Sequence, residues 1–134
     1  MESNYLDWIA KAESDWKIVK LVTKNNFDPA DLLCFHCHQV AEKYLKAFMS
    51  FKNIPTVKTH DLLKLQKLIL GEDATFFEFS EDFNTLNDYG ITPKYPDEFY
   101  NPTEEECEKA VKLAKGIRKF CREKMKAEKA VKKK

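Results

Sequence analysis

Asp28-Pro29-Ala30-Asp31-Leu32-Leu33-Cys34-Phe35-His36-Cys37-His38-Gln39-Val40-Ala41-Glu42-Lys43-Tyr44-Leu45-Lys46-Ala47-Phe48-Met49-Ser50-Phe51-Lys52 is the run that decides the fold. A carboxylate followed by a proline, whose missing N–H costs nothing in a first helical turn, marks a helix start. From there Leu33, Cys37, Val40, Tyr44, Phe48 and Phe51 recur at spacings of three and four, the period of one helix face. Phe35, Ala41 and Leu45 add apolar surface on other sides. A helix of roughly 36 Å at 1.5 Å per residue is therefore expected at the centre of the molecule, contacted from several directions.

The flanking sequence supplies its neighbours. A first helix is expected from about Tyr5 to Lys24, capped by Ser3 or Asn4, with Tyr5, Trp8, Ala12, Trp16 and Val19 on one face. Pro55 holds a linker open, and a third helix begins at Thr59-His60-Asp61 and stops at Gly71 through the left-handed conformation that glycine tolerates. A fourth is expected from Asp73 to Tyr89, with Phe76, Phe79, Phe83 and Leu86 inward and Gly90 as its stop. After an irregular stretch to Pro102, Thr103-Glu104-Glu105-Glu106 fits a capping box for a fifth helix that turns Cys107, Ala110, Ala114, Ile117 and Cys121 inward. The expectation is an all-α chain of five helices, one domain over 1–125, followed by a basic, frayed tail over 126–134.

Composition agrees. The 134 residues are 43% apolar and 34% charged with only three glycines, and no stretch alternates as a half-buried strand does. With 23 Lys+Arg against 22 Asp+Glu the net charge is +1, so no global field favours nucleic acid or a membrane surface. Arg118 and Arg122 are the only arginines, which leaves any anion binding largely to lysine. No apolar run is long enough to span a membrane and the first residues lack a signal-peptide pattern, so a cytoplasmic location is expected.

Cys34-Phe35-His36-Cys37-His38 formally matches the C-x-x-C-H haem attachment signature, but it lies inside the long central helix, and haem is not expected. Zinc is not expected either. His36 and His38 point about 200° apart on a helix, and Cys107 and Cys121 are about 21 Å apart along theirs. A redox role for Cys34 and Cys37 would need an exposed, acidified thiol, so all four cysteines are read as free core residues. Glu78, Glu81, Asp82, Thr85 and Asp88 form a polar stripe opposite phenylalanines, the pattern of a solvated face. His36, Lys43 and Lys46 fall within one sector of the central helix and form a candidate basic patch. His60 sits at a helix start, where it serves either a structural hydrogen bond or a site.

Three ordered motifs, His36-x-x-Gln39-x-Ala41-Glu42-Lys43-x-Leu45-Lys46-Ala47, then Thr59-His60-Asp61-Leu62-x-x-Leu65, then Lys94-Tyr95-Pro96-Asp97, resemble the HEPN domain family, as does the opening Trp8-x-x-Lys11-Ala12-Glu13-x-Asp15. The resemblance covers roughly Tyr5 to Met125. It implies an up-and-down bundle with a four-helix core plus an additional helix, commonly a homodimer, found in prokaryotes beside small nucleotidyltransferases, often in toxin–antitoxin-like gene pairs, and associated with nucleotides or RNA. Some members are metal-independent endoribonucleases that use an arginine followed four to six residues later by a histidine. Here every histidine precedes both arginines, so that motif is absent, and Lys94-Tyr95-Pro96 stands where relatives often have Arg-Tyr-Pro.

The leading functional expectation is therefore a non-catalytic dimeric module that pairs with a small nucleotidyltransferase, and/or holds a nucleotide or RNA phosphate between Lys43, Lys46, His60 and the Lys94-Tyr95 loop, without a cofactor. One alternative is an endoribonuclease built on an unconventional site around His60. The other is a structural dimer or scaffold whose Tyr95, Phe99 and Tyr100 contact a protein.

Overall fold

A computed structural model describes residues 4–90 and 101–132, with side chains to residue 128. Five α-helices and one 3₁₀ segment make up the fold, with no strand among the described residues: α1 (Tyr5–Lys24), α2 (Ala30–Phe51), α3 (Leu62–Leu70), the 3₁₀ segment (Ala74–Phe79), α4 (Ser80–Asn87) and α5 (Glu104–Lys132). Asn4 caps α1 in a capping box with Asp7, and Asp61 caps α3 by accepting from the N–H groups of Leu63 and Lys64. Thr103 and Glu106 form the expected box before α5, each side chain satisfying the other's backbone donor at 3.1–3.2 Å.

The central helix is α2, and α1 and α5 both pack principally on it. α1 runs antiparallel to it, so Tyr5 meets Phe51 and Trp8 meets Lys46. α5 runs parallel to it, with Arg122 at Tyr44 and Lys52 at Glu128. Tyr44, Phe48, Phe76 and Phe83 are the largest fully buried side chains. The core extends along α5 from Cys107 to Met125, and the helix itself continues to Lys132, past the expected boundary at residue 125.

Three local expectations are corrected. Pro29 is the cap residue rather than the first helical one, and no side chain, including that of Asp28, caps α2. Gly71 keeps a right-handed conformation, and the positive φ angles belong instead to Asn26, Phe27 and Asn53. The expected fourth helix is divided, because Gln66 donates to the carbonyl of Phe76 at 2.8 Å and to Ser80 Oγ at 2.8 Å. That carbonyl would otherwise receive the N–H of Ser80, which bonds Phe77 one residue closer, and the tighter 3₁₀ turn results.

Candidate functional site

α2 presents its polar residues on both flanks of the buried face, and each basic group there is met by a carboxylate. On the α1 side, Asp15 is buried and receives His36 Nδ1 at 2.7 Å and Lys43 Nζ at 2.5 Å. Burial alone would raise the Asp15 pKa; the hydrogen bonds from His36 and Lys43 outweigh it and hold the carboxyl below its usual value. On the α3 side, buried Glu42 receives His60 Nδ1 at 2.7 Å and Lys46 Nζ at 3.2 Å. Lys46, only 6% exposed, also lies 5.3 Å above the Trp8 ring.

Beside these clusters lies a third. Glu13 takes a bidentate bond from Arg118, at 2.8 and 2.6 Å, and the hydroxyl of Tyr44 at 2.6 Å. The guanidinium of Arg118 outweighs burial and, with Tyr44, lowers the Glu13 pKa to about 2. Burial and the bond to Glu13 push the Tyr44 hydroxyl up to about 12, so it remains a donor. Because the unfolded chain holds the Glu13 proton more tightly, this contribution to stability is complete above pH 4.5 and is lost as the pH falls towards 2. Acid titration followed by thermal melts should show a shallower loss of Tm for Glu13→Gln than for the unaltered protein.

His38 is wholly buried, and burial lowers its pKa, so the neutral ring donates from Nε2 to the His60 carbonyl at 2.8 Å. That bond fixes the backbone of the residue whose side chain reaches Glu42. Gly90 packs on the same ring, and a Cβ there would fall 2.6 Å from His38 Nε2. Gly90 is thus required for a close approach to that ring. Gly90→Ala is expected to cost about 1–3 kcal/mol, measured by urea denaturation. Among the described residues, buried His38 Nδ1 and Gln39 Oε1 meet no hydrogen-bond partner.

The structure therefore divides the basic patch read from sequence. His36 and Lys43 join at Asp15, whereas Lys46 joins His60 at Glu42. His60 does not cap α3; Asp61 does, and the His60 side chain is 70% exposed with Nδ1 anchored. Lys94 and Tyr95 lie outside the described residues, as do Phe99 and Tyr100. All four cysteines are buried and free, and burial raises every thiol pKa. Among the described residues no group of three metal-ligating side chains converges, and no helix is long and apolar enough to cross a membrane.

Three of the motifs that stand apart in sequence are joined: Glu13 and Asp15 of the Trp8 motif engage Tyr44 and Lys43 of the His36 motif, whose Glu42 engages His60 of the Thr59 motif. A family model described as the HEPN domain matches residues 5–124. The chain belongs to the HEPN family. An archaeal HEPN homologue of known crystal structure shares the HEPN fold with a TM-score of 0.70 and 22% identity, over 92% of this chain and 99% of that one. No curated protein matches the chain.

Sequence reading missed a second feature of this HEPN domain. Lys115, Lys119, Arg122 and Lys126 recur at spacings of four, three and four along α5 and form one side of a groove of about 620 Å³ against the start of α1. The spacing was the available signal.

Proposed function

We propose that this HEPN chain is a non-catalytic, dimeric binding module that holds a nucleotide or RNA phosphate beside α2 and α3 and works with a small nucleotidyltransferase in a cytoplasmic toxin–antitoxin-like pair. The observation that carries the proposal is the arrangement around Glu42. A buried carboxylate fixes His60 through Nδ1 and leaves the rest of an exposed imidazole outward, with Lys46 on the same carboxylate. A phosphate is the ligand class that accepts from such an outward imidazole N–H with an ammonium beside it. The Lys94-Tyr95 loop belongs to the proposed set, and Lys43, held by Asp15 on the α1 flank, enters it only as a neighbouring positive charge.

Thermal melts with ATP, GTP, AMP and short RNA test it. A ligand at one hundred times its dissociation constant should stabilise the protein by about 2.7 kcal/mol, with an affinity that falls as salt rises. His60→Ala, Lys43→Ala and Lys94→Ala should each reduce the shift, and a shift unaffected by all three would contradict the assignment.

One observation favours a second reading. A histidine oriented by a buried carboxylate is also the arrangement of a general acid or base, so an endoribonuclease using His60 is the competing function.

A further inference from the structure

α1 and α5 run antiparallel, since Glu13 meets Arg118 while the first turns of α1 share the groove with Met125 and Lys126. The groove has two unlike sides. Leu6, 57% exposed, forms an aliphatic wall with Ile9 and Met125. Lys115, Lys119 and Lys126 form the other, and none of the three has a carboxylate partner among the described residues. The groove therefore fits an apolar group flanked by carboxylates.

A polynucleotide fits it less well. The guanidinium of Arg118 is already committed to Glu13, and Arg122 to Tyr44 and Glu13. The Tyr5 ring packs edge-on against Phe51 at 5.0 Å rather than standing free for base stacking.

The complementary shape is on this same chain. The 3₁₀ segment carries Phe77, 68% exposed, beside the exposed Glu78 and within one turn of the exposed Glu81. Neither glutamate has a cationic partner among the described residues. Phe76 and Phe79 anchor the segment on Phe120, and Asp73 bonds Lys124 at 2.9 Å, so this knob stands beside the same stretch of α5 that lines the groove. At 100° per residue, Phe120 and Lys124 lie roughly 160° around α5 from Lys115, Arg122 and Lys126. Knob and groove thus flank α5 at one level. In a two-fold pair the contact is reciprocal, since a knob of one copy in the groove of the other implies the converse, and such an assembly closes.

We propose that the groove receives the Phe77 knob of a second copy of this chain, with Phe77 against Leu6, Ile9 and Met125, and Glu78 and Glu81 facing Lys115, Lys119 and Lys126. This rests on the dimeric reading above and names the surfaces that make the dimer.

Sedimentation equilibrium on the full chain tests it, using Lys115→Glu/Lys119→Glu, Glu78→Lys/Glu81→Lys and the variant combining all four. All four positions are exposed, and circular dichroism verifies folding. Each double substitution should weaken dimerisation about tenfold or more, because like charges then face each other, and the combined variant should recover it. A dimer indifferent to both double substitutions would overturn this interface while leaving the dimeric reading intact. A monomeric unaltered chain would overturn both. Loss of binding to a short single-stranded RNA in the lysine variant, with no change in mass, would overturn the interface in favour of a polyanion groove.

Discussion

Glu42→Ala is expected to destabilise the protein by about 3–5 kcal/mol, the range for removing one partner of a buried ion pair. Lys46 is 6% exposed and reaches Glu42 at 3.2 Å, so the substitution leaves an ammonium enclosed against Trp8 with no counter-charge. It also frees His60, whose Nδ1 has no other partner among the described residues. A fall in Tm on the order of 10 °C or more is expected for a domain of this size. The double variant Glu42→Leu/Lys46→Met should recover most of that loss, because a well-packed apolar pair removes the desolvation cost together with the attraction. It should not recover phosphate binding, since His60 remains unanchored. A double variant as unstable as Glu42→Ala would show that packing around residue 42, not the pairing, carries the stability.

The second large effect is expected at Phe76→Ala, about 3–5 kcal/mol for truncating a fully buried ring. Phe76 lies 4.6 Å from Phe48 on α2 and 5.0 Å from Phe120 on α5, so its ring connects both long helices to the 3₁₀ segment. Its loss leaves a cavity bounded by two elements that cannot close together without moving α5 on α2. Urea denaturation should place the midpoint well below that of the unaltered protein with a similar m-value. By contrast Phe77→Ala, one residue along and mostly exposed, should leave stability almost unchanged.

That pair of neighbours also shows where sequence reading reached its limit. Phe76, Phe79, Phe83 and Leu86 sit at helical spacing, which predicts one continuous helix, and inward-facing Phe76, Phe83 and Leu86 are indeed buried. Yet a spacing of three also suits a 3₁₀ turn. The choice between them is made by Gln66, ten residues upstream, which takes the Phe76 carbonyl. Nothing in the local pattern announces a tertiary hydrogen bond. The long helices α1, α2 and α5 were legible because their apolar periods exceed four turns, and the caps of α1 and α5, Asn4 and Thr103, are satisfied by neighbours in sequence.

The candidate site was legible in its residue types and not in its wiring. His36, Lys43 and Lys46 share a helix sector, which predicts a positive patch. The carboxylates that neutralise it come from α1 and from α2 itself. Glu13 and Asp15 are two residues apart, about 200° around α1, so one faces Arg118 and the other Lys43. Only the packing of α1 on α2 reveals that arrangement. Gly90 is legible in sequence only as a helix stop, and the constraint the structure adds is contact with the His38 ring.

Binding without cleavage is the central claim, and one experiment addresses it directly. Purified protein is incubated with labelled single-stranded RNA and, separately, with labelled ATP, without added metal, and both retention and product size are followed as salt is raised. Retained, intact ligand that dissociates with salt and is lost in His60→Ala is the predicted result. RNA cut by the unaltered protein and left whole by His60→Ala would contradict it and make His60 a catalytic residue.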